Sequence, residues 1–248
     1  MNKLLKFLGI IASFSFLLTS AFNVESPGTW SPTPMDRPIP DDFSSFYQSD
    51  TSTLRGVWAV DDGEKVKRDD LHHPLAASPE NVVWDGEKIR LFGARNEVIA
   101  FQLILQAGGN GSSDVNVKIS DLHQESYRLP GSASGSQDPF DYRDTYVELF
   151  TEHYLKITER SIGGTAWATS AAPSDYYYGW VPDALIPFAA PSELGGAPID
   201  SPANMNQGVW VDLYIPRDVP QGTLLGEVEV IESGISTYRS PLEVQVFD

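Results

Sequence analysis

From residue 54 onward, hydrophobic and polar positions alternate with a period of two. In VNVKISD, Val115, Val117 and Ile119 share one face while Asn116, Lys118 and Ser120 share the other, the pattern of a strand with one buried side. EVIAFQLILQ sets Ile99, Phe101, Leu103 and Leu105 on an apolar face, with Gln102 and Gln106 marking the opposite one. VWVDLYI groups Val209, Val211, Leu213 and Ile215 and turns Asp212 away; LEVQVF does the same with Leu242, Val244 and Val246. TYVELFTEHYLKITER carries charges that would suit a helix. Its odd positions Val147, Leu149, Thr151, His153, Leu155 and Ile157 alternate cleanly, however, and it is rich in β-branched and aromatic residues, so a strand is predicted.

Turn signals separate these runs. In IPRDVPQGTLLGE, Pro216 and Pro220 forbid a central ladder and Gly222 supplies a turn conformation. No amphipathic helix of ten or more residues stands out. Short alternating strands divided by turns predict an all-β fold, a two-layer antiparallel β-sandwich of immunoglobulin-like or jelly-roll-like kind with long irregular loops. Two segments break the pattern, 128–144 and 163–206, and loops of such length usually work or dock against something. The second contains PSDYYYGWVPDALIPF, where prolines and a glycine around Tyr176, Tyr177, Tyr178 and Trp180 predict a loop rather than a strand.

The N-terminus reads differently. Lys3 and Lys6 precede an apolar run from Phe7 to Leu18 and the small residues Thr19, Ser20 and Ala21, the layout of a secretory signal. The run is shorter than the roughly 20 residues a membrane span needs, so residues 1–21 are expected to be cleaved and the chain exported, to the periplasm, the cell surface or the medium. Residues 22–53 hold Pro27, Pro32, Pro34, Pro38 and Pro40 and are expected to form an extended Pro/Ser-rich linker. The sandwich is assigned to 54–248.

Composition narrows the partners. The formal charge is −17. Losing the signal removes two lysines and no acids, which makes it −19. Nucleic-acid phosphates and anionic membranes are poor partners for such a chain; neutral sugars and basic proteins are not. There is no cysteine, which excludes disulfides, thiolate metal sites and thiol nucleophiles. His72 and His73 are adjacent in DLHHP and point to opposite sides in extended chain, with His123 and His153 far away, so no metal and no cofactor are expected. DDGE at residues 61–64 reads as a tight turn, and NGS at residues 110–112 as a turn between strands.

Three segments, LFGARNEVIAFQLIL, WVPDALIPF and NQGVWVDLYIPRDVPQGTLLGEVEV, together resemble the N-terminal β-sandwich of bacterial proteins of glycoside hydrolase family 123 and the related domain-of-unknown-function family 4091. The resemblance implies a sandwich that precedes a larger barrel-type catalytic domain, and that barrel is not within these 248 residues. Arg95, Asn96 and Glu97 carry one motif and read physically as a structural corner between two strands, with Gln102 on the strand that follows. Asn206, Gln207 and Trp210 open another and are expected to organise the base of the preceding loop.

A glycosidase needs two carboxylates about 5 to 10 Å apart across one sugar. Asp61, Asp62, Glu97, Glu152 and Asp183 are candidates, but 34 acidic residues make chance pairs common, and no catalytic residue is assigned. The rings of Tyr176, Tyr177, Tyr178 and Trp180, with Asp183 beside them, form the expected ligand- or domain-docking surface. Each ring has on the order of 150 to 250 Å² to bury. Three covers compete for them: the end of the sandwich, a downstream domain, or the face of a sugar. The expected function is a secreted, non-catalytic module that supports a carbohydrate-active barrel. The alternatives are a stand-alone carbohydrate-binding module and a glycosidase in its own right.

Overall fold

The alternating segments pair into two sheets that face one another. A computed structural model of the protein describes residues 46–132, 144–158 and 178–248, all within one unit, Ile39–Asp248. The expected export signal and most of the expected linker lie outside the described residues, as do Tyr176 and Tyr177.

One sheet contains β2 (Leu54–Asp61), β4 (Glu97–Ala107), β8 (Val147–Ile157), β9 (Gly179–Pro187) and β11 (Asn206–Ile215), in the order β2-β4-β11-β8-β9. The other has β1 (Tyr47–Gln48), β13 (Ile235–Phe247), β12 (Gly222–Glu232), β5 (Ser112–Ile119) and β10 (Ile199–Ser201) in that order. It is extended by β3 (Ile89–Ala94) beside β13 and by the short strands β6 (Leu122–Gln124) and β7 (Tyr127–Leu129). The predicted inner faces meet: Phe101, Leu103, Val209, Val211, Leu213 and Ile215 from the five-stranded sheet, and Leu242, Val244 and Val246 from the other, are all fully buried, and Leu224, Val228 and Val230 of β12 are buried with them. The all-β, two-layer sandwich follows directly from these faces.

Four features differ from the sequence-based expectation. First, β3 pairs with β13 in parallel, Ile89 opposite Leu242 through Ala94 opposite Phe247, so the sandwich is not purely antiparallel. A β3–β4 hairpin is ruled out, because the chain leaves one sheet at β3 and enters the other at β4. Asn96, at φ 64°, makes that turn in a conformation asparagine tolerates. Its N–H donates to the Ile215 carbonyl, and its Oδ1 accepts from Tyr214 and from Arg217 Nε at 3.1 and 3.0 Å. Glu97 accepts from the Ala94 N–H at 2.6 Å, and Arg95 pairs with Asp248. Gly93 is needed one step earlier, since a Cβ there would lie 2.7 Å from Ile99 and 2.8 Å from Ile215.

Second, WVPDALIP is a strand. It survives its prolines because β9 is an edge, bonded only to β8, where a missing N–H leaves no second neighbour unsatisfied. The register against β8 slips between His153 and Tyr154, whose partners are Ala184 and Pro182, leaving Asp183 as the extra, exposed residue of a bulge. Third, the buried side of β8 changes along its length. Val147, Leu149 and Thr151 are buried as the alternation predicts, but Glu152 and Tyr154 are buried beyond them while His153 and Leu155 are exposed.

Fourth, chain on the N-terminal side of Leu54 belongs to the sandwich. Tyr47 and Gln48 pair with β13, and Phe46 packs edge-on to Tyr238, ring centres 5.5 Å apart. Buried Glu232 ties this segment down by accepting from Ser52 at 2.5 Å, from the Thr53 N–H at 2.9 Å and from Thr237 at 2.6 Å. Burial alone would raise its pKa; these hydrogen bonds outweigh that and hold the carboxylate below its ordinary range.

Candidate functional site

The outer face of the five-stranded sheet organises the functional geometry. Gln102 and Gln106 lie on the outward side of β4, yet they are 1% and 8% exposed, because the segment following β2 folds back over them. Three carboxamides pin that segment by its backbone. Gln102 Nε2 donates to the carbonyls of Asp61 and Glu64 at 2.8 and 2.9 Å. Asn206 Nδ2 donates to those of Lys67 and Asp70 at 3.0 and 2.6 Å, and Gln106 Nε2 reaches that of Leu71 at 3.5 Å. The Asn206 N–H donates to the Arg68 carbonyl as well. Asn206 therefore anchors the crossing segment rather than the long loop before β11. Within that segment Asp61 accepts from the Gly63 N–H at 2.9 Å, the expected tight turn, and the His73 ring stacks on Trp58.

Beyond Val209 and Thr151 the ladder between β11 and β8 stops, and side chains take over. Gln207 Nε2 donates to the Glu152 and Gly208 carbonyls, both at 2.9 Å, and the Gly208 N–H donates to the Tyr154 hydroxyl at 3.0 Å. The Glu152 carboxyl occupies the space a side chain at 208 would fill, so any Cβ there would overlap it. The three residues of the Asn-Gln-Gly motif thus act separately. Asn206 pins the crossing segment, Gln207 splints the split sheet, and Gly208 makes room for an acid.

Glu152 is 3% exposed, and its Oε2 has no hydrogen-bond partner. Burial pushes its pKa up to about 7, against an opposing pull from the Lys65 charge. Burial also raises the Tyr154 hydroxyl, with the Glu152 charge adding to it. Arg68 lies over the Tyr154 and Trp180 rings at 5.6 and 5.7 Å, and Lys156 lies 5.6 Å from the centre of the Trp180 ring. Two cations therefore already engage the Trp180 ring, which the sequence pattern assigns to a docking platform.

Beside the split lies a cleft of about 620 Å³, whose lining includes Arg68, Thr151, Glu152, Tyr154 and Gln207 together with Asp114, Glu193, Ile199 and Asp200. Sequence reasoning places Glu152 only in a pool of chance carboxylates and does not single out Arg68, Tyr154 or Gly208. The available signal is the lone glycine inside a strand pattern, which marks close approach by another group.

A second arrangement lies on the same outer face, further along the strands. Phe150 is directly opposite Trp210, and Glu148 directly opposite Asp212. Trp210 Nε1 donates to Asp212 at 2.7 Å. All four are partly exposed, and Val98 nearby is 58% exposed. Burial, followed by the charge of Asp212, raises the pKa of Glu148; burial, with the charge of Asp62 adding to it and the Trp210 bond opposing, raises that of Asp212.

The remaining predicted residues are dispersed. Tyr178 precedes β9 and is half-buried. Asp183 sits on the edge-strand bulge, and Glu97 opens β4 with β11 and β8 between them, so these two do not form a pair. Among the described residues no group of three or more His, Asp or Glu is placed to hold a metal ion, and no helix is long and apolar enough to cross a membrane.

No protein-family model and no curated protein matches this sequence. Among solved structures, the chain is similar to a family 123 glycoside hydrolase from Clostridium perfringens, studied for glycolipid glycan hydrolysis. The TM-score is 0.49, with 13% identity over 79% of this chain and 28% of that one. It is also similar to AvmM, which catalyses macrocyclization in alchivemycin A biosynthesis, with a TM-score of 0.30 and 12% identity over 63% of this chain and 84% of that one. Both are distant structural similarities. The chain spans about 28% of the length of the glycoside hydrolase.

Proposed function

We propose that this chain is a non-catalytic β-sandwich module of an exported carbohydrate-active protein, and that it leans on a basic surface of its partner through the Phe150–Trp210 and Glu148–Asp212 rows. The carrying observation is the second row. Two carboxylates directly opposite one another on a sheet repel, both are held part-way out of water, and no cation among the described residues forms a salt bridge with either. A Lys or Arg from a neighbour would relieve that repulsion, and the adjacent aromatic pair offers it a π face. The strongly acidic chain favours such a partner. The motif resemblance supports the class of protein, and the layout of the first 21 residues supports export.

A photo-crosslinking residue at position 150 of the full chain, in its native host, tests this. Position 235, an exposed isoleucine on the other sheet, is the control. The expected result is a discrete adduct from position 150 with a carbohydrate-active domain or protein, absent from position 235. Equal labelling from both positions would contradict the docking role. Glycoside hydrolysis by the purified chain that Glu152→Gln abolishes would contradict the non-catalytic one.

A further inference from the structure

Where the β8–β11 ladder ends, a buried acid lies near a cation that is free to turn. Glu152 is the first residue of β8 beyond the last pair, Thr151 opposite Val209. Its carboxyl fills the space over Gly208, and its Oε2 is shielded from solvent without a hydrogen-bond partner. A protonated carboxyl is tolerated there, but an ionised one is an unpaired buried charge that the fold must pair or hydrate. Lys65, on the crossing segment, is exposed, and its Nζ donates to the Pro182 carbonyl of β9 at 3.3 Å, a long and therefore weak bond. The Arg68 N–H donates to the Trp180 carbonyl at 3.0 Å. These two bonds tie the crossing segment to β9, whose only strand neighbour is β8. We infer that Lys65 is a proton-controlled latch: it holds β9 through the Pro182 carbonyl while Glu152 is protonated, and leaves that carbonyl for the Glu152 carboxylate once the acid ionises.

The groups around Glu152 single out Lys65. Arg68 also approaches from the crossing segment, but its guanidinium lies over the Tyr154 and Trp180 rings, and its charge acts on the Tyr154 hydroxyl while that of Lys65 acts on Glu152. On β8, His153 is exposed, Lys156 lies over the Trp180 ring, and burial keeps Tyr154 un-ionised. β11 presents Gln207 and Gly208, β4 presents Ile104 opposite Gly208, and β9 presents Leu185 opposite Glu152 itself; none of these titrates. Asp183, the one charge on β9, is on the exposed bulge. Asp114, Glu193 and Asp200 line the adjoining cleft and, being acids, give an ionised Glu152 no counter-charge. Burial keeps Glu152 protonated up to about pH 7, so the latch is set below that pH and released above it. The proton goes to solvent, and no covalent bond changes. The docking rows take no part, so the latch and the proposed function can fail independently.

NMR of the full chain between pH 5 and pH 9 tests the latch. The Glu152 carboxyl carbon is expected to titrate at about pH 7, and the Lys65 side-chain nitrogen to shift with the same midpoint. Amide exchange at residues 64–69 and 179–184, corrected for intrinsic rates, should quicken about tenfold between pH 6 and pH 8 while the β12–β13 ladder does not change. Glu152→Gln should flatten both the Lys65 shift and the exchange change. Lys65→Met, which keeps the apolar stem, should raise the Glu152 midpoint and leave residues 179–184 fast already at pH 6. A Glu152 midpoint in the ordinary carboxylate range, a Lys65 signal that does not follow Glu152 in the wild type, or quickening that persists in Glu152→Gln would overturn the inference. The wild-type titration decides it even if a variant fails to fold.

Discussion

Glu152 makes the stability of the protein depend on pH in a direction opposite to most carboxylates. Its pKa rises from an ordinary 4.5 to about 7 on folding. The folded state therefore prefers the protonated form: the stabilisation is complete below about pH 4.5 and is lost as pH rises through about 7. A shift of this size corresponds to roughly 3 kcal/mol. Urea unfolding at pH 5 and pH 8 should show the wild type losing stability on that scale, while Glu152→Gln, neutral at both, keeps most of it. Glu232 works in the other direction. Its folded pKa is depressed, so its contribution is present above the ordinary glutamate range and is lost as pH falls through the lowered value. Gly208 belongs to the same local problem. Gly208→Ala should destabilise by about 2 to 3 kcal/mol through overlap with the Glu152 carboxyl, and by much less in a Glu152→Ala background, a coupling that a double-mutant cycle measures. That coupling is half legible in the sequence: the strand glycine announces a close approach, but the approaching acid comes from a strand more than fifty residues earlier, which no local pattern reveals.

At the scale of elements, the crossing segment after β2 is held on the sheet by side-chain amides to its backbone carbonyls. Asn206→Ala removes two such bonds and leaves the Lys67 and Asp70 carbonyls without that partner. It should cost about 2 to 3 kcal/mol. Hydrogen exchange should then accelerate through residues 62–73 while the β12–β13 ladder stays protected; uniform acceleration would mean that Asn206 supports the whole sandwich instead. The glutamines of β4 are legible as outward-facing but not as buried, because alternation reports a side of a strand and says nothing of what crosses it. For β9 the failure runs the other way. Pro182 and Pro187 argue against a central strand, and an edge position, where the argument lapses, is a property of the assembled sheet. β8 alternates as its sequence predicts up to Thr151; past the ladder's end its burial follows the bulge and the crossing segment.

For the molecule as a whole, period-two faces and turn residues suffice for an all-β, two-layer fold, since each inward face must find another. They leave the β3–β13 parallel pairing and the β1 addition undetermined, because both join residues far apart in the chain. The two arrangements on the five-stranded sheet arise from that assembly: a splinted split with a cleft, and a partly exposed aromatic–acidic patch. The central claim is that the patch recognises a cation on a partner. The most direct measurement is the yield of the position-150 crosslink in Glu148→Gln/Asp212→Asn, which preserves shape and removes both charges. The adduct should fall at least tenfold with no loss of thermal stability; an undiminished yield would contradict charge-directed docking.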